Sequence, residues 1–274
     1  MANSSSILDH ILTQSPSSAQ NTSITYQWLL PNLRGLENYF ACHDAASATS
    51  KSTPANSPTS LPNHEVSIFL AATEAFSQRN TNCSISESID RFKPLIAAAQ
   101  ARSVPVRAYI SVALGCPYEG LNVSPTTVTD LALRLLDLGA YEISVADTTG
   151  MGTPPRTAAL LKELTSAGVQ PEKLAFHFHD TYGLALVNTL VALEGGVRTF
   201  DSAVAGLGGC PYSPGATGNV ATEDLVHCLH SLGAKTGVDV ELLAQVGEWI
   251  SGELGKANES RAGKAVLAKM RRAG

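Results

Sequence analysis

Strand-like and helix-like segments alternate along this 274-residue chain in units of about 35 to 40 residues, a repeat that implies parallel strands joined by right-handed crossovers. Histidine, cysteine and carboxylate side chains cluster at or just beyond the C-terminal ends of those strands, where α/β barrels keep their chemistry. The Gly-rich first turn that would mark an open, doubly wound sheet is missing. These three observations predict an α/β fold of the (β/α)8 TIM-barrel class. Only about six strand candidates can be counted where such a barrel needs eight, so it is expected to be incomplete here, with a Ser/Thr/Pro-rich loop insertion.

Taken in order, residues 6–14 carry Ile7, Leu8, Ile11 and Leu12 at helical spacing. Residues 24–30 read as a strand, Pro31-Asn-Leu-Arg-Gly35 as a turn, and Leu36 begins a second helix. Residues 43–64 break the pattern. Ser, Thr and Pro dominate there, large apolar side chains are nearly absent, and the segment cannot repay the entropy of ordering. A flexible surface insertion is expected. The unbroken apolar run 66–71 is the next strand, and Ser84-Ile-Ser-Glu87 is a capping box opening a helix over 86–101. Strand 104–112 follows, with Arg107 and Tyr109 on one face by the period-2 rule and so both able to point into a barrel mouth. Helix 125–138 is amphipathic, strand 141–146 runs into Asp147-Thr-Thr-Gly150, and helix 154–167 has proline near its first position. Strand 174–179, helix 184–194 and strand 199–204 continue the alternation before helices 222–232 and 240–254. The barrel domain is expected over residues 1–255, with 256–274 a polar, basic tail or a frayed helix.

Two stretches carry chemistry. In Phe176-His-Phe-His-Asp180 the strand period puts His177 and His179 on the same side, roughly 7 Å apart along the strand. Two imidazoles with a carboxylate beside them make either an edge of a divalent-metal site or a pair of hydrogen-bonded core histidines. The second stretch is Asp201-Ser-Ala-Val-Ala-Gly-Leu-Gly-Gly-Cys-Pro-Tyr212, then Gly215 to Asp224. Its glycines let the backbone approach a ligand closely. Cys210 lies in that loop, and Asn219 and Glu223 where the loop runs into a helix.

Composition narrows the class without naming it. Hydrophobic residues make up 44% and charged ones 16%, and the net charge of −5 gives no reason to expect nucleic acid or an anionic membrane as partner. No apolar run approaches the ~20 residues of a membrane span. The five cysteines, 42, 83, 116, 210 and 228, are odd in number and contain no Cys-x-x-Cys pair. Neither a disulfide framework nor a structural zinc site is indicated.

On four stretches the sequence resembles the hydroxymethylglutaryl-CoA lyase family, metal-dependent TIM-barrel lyases: Asn80-Thr-Asn-Cys-Ser-Ile, Ala113-Leu-Gly-Cys-Pro-Tyr-Glu-Gly120, His177-Phe-His-Asp-Thr-Tyr-Gly183, and the Gly-Cys-Pro-Tyr loop through Asp224. The resemblance runs from near the first residue to about residue 255, broken by the one insertion. It implies a carbon–carbon lyase that cleaves hydroxymethylglutaryl-CoA to acetoacetate and acetyl-CoA with Mg²⁺ or Mn²⁺. By motif, His177, His179 and Asn219 are the implied metal ligands, and Cys210 the acid that protonates the enolate. Asp147 and Glu223 are implied members of the catalytic site, or else a helix cap and a buried hydrogen-bond acceptor. Arg107 and Tyr109 are candidates for substrate binding, Arg107 having as its alternative a salt bridge lining the barrel. No CoA-nucleotide signature is assigned. The resemblance further implies an acyl-CoA substrate, a homodimer and the mitochondrial matrix. One departure is Ala203, where the family usually has serine. The family's first two strands, with an Arg-Asp-Gly-Leu-Gln stretch whose Asp ligates the metal, would precede Met1. The chain is therefore expected to be an incomplete version of a longer protein, or a natural remnant without catalysis. A related acyl-CoA aldol or Claisen synthase is the remaining alternative.

Overall fold

The computed structural model describes residues 4–14, 24–50, 63–209 and 218–273. Its sheet places β1 (Thr25–Leu29), β2 (Asn63–Ala71), β3 (Val106–Ser111), β4 (Glu142–Asp147), β5 (Leu174–Phe178) and β6 (Thr199–Asp201) side by side in chain order, every pairing parallel. Around it run α1 (Ser4–Gln14), α2 (Leu33–Ser50), α3 (Glu74–Thr81), α4 (Ile85–Ala101), α5 (Pro125–Asp137), α6 (Pro154–Ser166), α7 (Ala185–Glu194), α8 (Thr222–Ser231), α9 (Val240–Leu254) and α10 (Arg261–Ala273). None of these helices is long and apolar enough to cross a membrane.

Strand alternation separates two environments. Ile68 and Leu70 on β2, Ala108 and Ile110 on β3, Ile143 and Val145 on β4, and Phe176 and Phe178 on β5 are buried in the main apolar cluster with Leu95, Leu131, Leu135 and Leu160 of the helices. The other face of the sheet is polar, carrying Gln27, Arg107, Tyr109, Ser144 and His177. In a flat sheet β3 and β6 would lie about 14 Å apart, three strand spacings. Yet Arg107 Nη2 on β3 is 2.8 Å from Asp201 Oδ1 on β6, and Tyr109 Oη on β3 donates to Gln27 Oε1 on β1 at 2.8 Å. The sheet is therefore curled into a half-barrel with the polar face inside. β1 and β6 are its edges among the described residues.

Local signals explain most boundaries. Ser84 Oγ accepts from Glu87 N at 3.1 Å while Glu87 Oε2 accepts from Ser84 N at 2.7 Å, so the expected capping box opens α4. Helix α3 went unpredicted, because Glu-Ala-Phe-Ser-Gln-Arg-Asn-Thr buries only Phe76 and Ser77 and shows no apolar period. The insertion expected over 43–64 is shorter than its composition suggests. Helix α2 continues through Ser50 and β2 begins at Asn63, leaving residues 51–62 outside the described residues. Alanines 45, 46 and 48 favour helix, Ser47 Oγ donates back to His43 O at 2.9 Å, and Asp44 pairs with Arg102, the residue that caps the end of α4. Strand β6 stops at Asp201, short of the expected 204, because Val204–Gly206 winds into a single 3-10 turn.

The segment expected as a polar tail is a packed helix over most of its length. Asp224, near the start of α8, accepts from Ser260 Oγ at 2.6 Å, Ala262 N at 2.6 Å and Arg261 N at 3.2 Å. One carboxylate thus satisfies amides that the first turn of α10 leaves unpaired, and Leu267 is buried beneath the helix. Basic composition concealed this, since the partner lies 36 residues upstream. Asp224→Ala should cost about 2–4 kcal/mol in urea unfolding through the lost charge-assisted bonds. It should also expose Lys264 and Lys269 to trypsin before the barrel opens. Equal cleavage rates in variant and parent would mean that apolar packing alone holds α10.

Candidate active site

His177 faces the half-barrel interior, and His179, just past the end of β5, lies on the same side with ring centroids 5.3 Å apart. An antiparallel bridge pairs His179 with Asn219, flanked by Val220 N to Phe178 O and Asp180 N to Gly218 O, both at 3.1 Å. The loop ahead of α8 is thereby stitched to the strand carrying the histidines. Asn219 Nδ2 donates to Leu207 O at 2.8 Å. Its Oδ1 is buried with no hydrogen-bond partner, as is His179 Nδ1. Residue 208 must be glycine, since its φ is +104° and a Cβ there would sit 2.5 Å from Asn219 Nδ2. Burial, then the neighbouring His177 ring, lowers the pKa of His179 to about 4, which keeps the imidazole neutral and a lone pair available. Two imidazoles and an amide oxygen, two of them with orphaned buried atoms, suit a divalent cation. No group of three or more His, Cys, Asp or Glu among the described residues could hold a metal, because the third donor here is an amide.

Below the histidines lies a charged cluster of which the sequence offered Arg107 and Tyr109 but not Glu142, Ser144 or Asp201. Asp201 Oδ2 is 3.3 Å from His177 Nδ1 and accepts from Ser144 Oγ at 2.9 Å. Arg107 Nη2 meets Asp201 Oδ1 at 2.8 Å, and Arg107 Nε meets Glu142 Oε1 at 2.7 Å. Arg107 Nη1 donates to Tyr109 Oη at 3.1 Å. Burial pushes the Asp201 carboxyl up, but bonds and charge from His177 and Arg107 outweigh it and hold the group below its usual range. Glu142 is raised by burial despite Arg107. Of the two readings left open for Arg107, the side chain adopts the interior ion pair, near the N-terminal end of β3. Tyr109 shares that interior, its ring edge-on to His177 at 6.1 Å. The available signal was period-2 spacing: Glu142 and Ser144 fall on one face of β4, and Asp201 ends β6.

Glu223 is fully buried, and both of its carboxylate oxygens accept from Ala205 N, at 3.0 and 2.9 Å. Ala205 has φ 55°, a left-handed conformation that costs a non-glycine residue about 1–2 kcal/mol. Glu223 therefore pins the strained turn that leads into the Gly-rich loop. Gly247 of α9 makes room for it, since a Cβ there would lie 2.2 Å from Glu223 Oε1. A cavity of about 380 Å³ opens beside Asn219, with Asp180, Tyr182 and Arg261 on its walls.

The HMGL-like family model matches residues 42–250. Hydroxymethylglutaryl-CoA lyase of Pseudomonas mevalonii is 50% identical over 264 residues, spanning 96% of this chain and 80% of that one. The chain belongs to the HMGL-like family. The crystal structure of hydroxymethylglutaryl-CoA lyase from Pseudomonas aeruginosa superposes with a TM-score of 0.84 at 45% identity, covering 98% of this chain and 80% of that one. An Acinetobacter baumannii HMG-CoA lyase, solved with coenzyme A and 3-methylmalate, gives 0.78 at 32% identity over 94% and 76%. Mammalian relatives are named both mitochondrial and cytoplasmic.

Three further side chains of this HMGL-like chain bear on its chemistry. Cys116 is buried, with Sγ 3.2 Å from Thr73 Oγ1, in a turn closed by reciprocal 2.9 Å bonds between Cys116 and Gly120. Cys210 lies outside the described residues. Asp147, three residues beyond the inward-facing Ser144, faces the opposite side of β4, where Oδ2 accepts from Gly152 N at 3.0 Å. It is buried, Oδ1 has no partner, and desolvation raises its pKa to about 6. A carboxyl raised in the folded state favours folding most below its unfolded pKa and loses that contribution as pH rises through 6. Between pH 4 and 8 this group should cost the protein about 3 kcal/mol. Asp147→Asn removes the titration, so the stability difference between variant and parent should move toward the variant by that amount over the same range. Urea curves at pH 4, 6 and 8 giving a constant difference would refute the assignment.

Proposed function

We propose that the chain is a divalent-metal-dependent lyase that cleaves hydroxymethylglutaryl-CoA to acetoacetate and acetyl-CoA. The observation that carries the reading is the convergence of His177, His179 and Asn219, with His179 Nδ1 and Asn219 Oδ1 buried and unpaired, in a chain 50% identical to a lyase of that name. These three residues would hold the ion, which when bound lowers the pKa of a coordinated hydroxyl. Cleavage passes the proton of the substrate's tertiary hydroxyl to a base, breaks the bond from the carbinol carbon to the methylene beside the thioester, and leaves the electron pair on that methylene carbon as the thioester enolate. A proton must then return to that carbon. Cys210 is the donor, since a thiol of pKa about 8.5 is protonated at neutral pH and needs no large shift to act. Glu223 holds the turn entering its loop, and the cavity beside Asn219 receives the acyl-CoA. The homodimer and the mitochondrial matrix belong to this reading by family resemblance.

Acetoacetate release from hydroxymethylglutaryl-CoA in the presence of Mn²⁺ tests the assignment directly, and a folded, metal-loaded chain that releases none would favour the non-catalytic remnant. Cys210→Ser should lower turnover by about 10² to 10⁴ without changing metal affinity, while Cys116→Ser should have a much smaller effect. The reverse ranking would exchange the roles of the two Gly-Cys-Pro-Tyr loops. Metal preference gives a second check. All three donors among the described residues are neutral, and Mg²⁺ favours carboxylate oxygen where Mn²⁺ accepts imidazole. Calorimetry should therefore find Mn²⁺ bound more tightly than Mg²⁺, and tight Mg²⁺ binding would point to a carboxylate ligand outside this set.

A further inference from the structure

We infer that Asp201, held in place by Arg107 and Ser144, is a positioning residue that fixes His177 in the tautomer with its proton on Nδ1. The inference rests on the reading of His177 as a metal ligand. An ionised carboxylate can only accept. Asp201 Oδ2 lies 3.3 Å from His177 Nδ1, so a neutral ring meets it well only by donating from Nδ1, which leaves the Nε2 lone pair free for a ligand. The carboxylate cannot turn away. Ser144 Oγ donates to the same oxygen at 2.9 Å, and Arg107 Nη2 sits 2.8 Å from the other. Arg107 is itself held in ion pairs, Nε 2.7 Å from Glu142 Oε1 and Nη2 2.8 Å from Asp201 Oδ1, while Nη1 donates to Tyr109 Oη at 3.1 Å. It therefore acts through Asp201 and not on a substrate anion. One positive and two negative charges leave the cluster a net negative charge below His177, the sign that suits a cation above it.

Long-range ¹H–¹⁵N NMR of the metal-free chain reads the tautomer without any substitution. The proton should be on His177 Nδ1, and a proton on Nε2 overturns the inference. Asp201→Asn keeps the shape but changes the outcome. Arg107 still demands an acceptor, so the amide NH₂ must take the place of Oδ2 and face His177. Nδ1 then accepts, Nε2 carries the proton, and Mn²⁺ affinity measured by electron paramagnetic resonance should fall about 10- to 100-fold. Arg107→Lys should weaken Mn²⁺ binding in the same direction. A folded Asp201→Asn chain with parental Mn²⁺ affinity would sink the proposal, as would an Arg107→Lys chain that raises only KM. If Asp201→Asn does not fold, the parental NMR spectrum still decides. If the parent binds no Mn²⁺, the metal reading falls, while the tautomer result decides the positioning claim by itself.

Discussion

A guanidinium in the interior of a half-barrel has to be neutralised, and the way Arg107 is neutralised organises the whole concave face. Its side chain is 7% exposed and lies between carboxylates contributed by β4 and β6. Removing one partner of such a cluster would strand an uncompensated charge, at a cost of about 3–5 kcal/mol. The ion pair to Asp201 also fixes the curvature of the sheet, because it can form only if β3 and β6 approach across the two strands between them. Buried ion pairs are nevertheless poor net stabilisers, and apolar residues of similar volume often serve as well. Their placement directly under His177 supplies a better reason for this cluster than stability does.

A second pair of carboxylates ties the mouth of the site to the far end of the chain. Glu223 and Asp224 are consecutive at the start of α8, and they point to different partners. Glu223 takes the amide of the left-handed Ala205, and Asp224 takes the amides that open α10. Glu259 N donates to Ala205 O at 3.0 Å. The strained turn before the Gly-rich loop is therefore braced from both sides, once by α8 and once by the segment entering α10. Close packing makes this possible, with Gly247 giving up a side chain to admit Glu223.

The parts of this arrangement legible in the sequence are those set by short-range periodicity. The period of two placed His177 and His179 on one face, the capping box opened α4, and alternating segments gave six parallel strands in order. Each depends on residues a few positions apart. Arg107, Glu142 and Asp201 span 95 positions, on strands whose contact requires the sheet to curl; the period of two set Arg107 on an inward face, but nothing local paired it with Glu142 and Asp201. Asn219 was marked only by its place where a loop runs into a helix, and its role as a ligand came from family resemblance. Helix α3 and the end of α2 were hidden because tertiary contacts, not apolar spacing, hold them. The pairing of Asp44 with Arg102, and the stacking of that guanidinium over Phe40 at 4.2 Å, are examples.

The site itself shows the opposite economy from the cluster below it. Beneath His177 the buried charges stand in ion pairs, Arg107 against Glu142 and Asp201, whereas above it His179 Nδ1 and Asn219 Oδ1 have no hydrogen-bond partner. An unmet buried polar atom costs roughly 1–3 kcal/mol, so the two together represent a sizeable fraction of a marginal stability. Neither can simply rotate into solvent. The backbone bridge between their residues holds them together, and the Leu207 carbonyl claims the other half of the asparagine amide. A cation binding only the folded chain would repay that cost in proportion to the logarithm of its concentration over Kd. The same rigidity that makes the empty pair costly makes it preorganised, with little reorganisation left for the moment of binding.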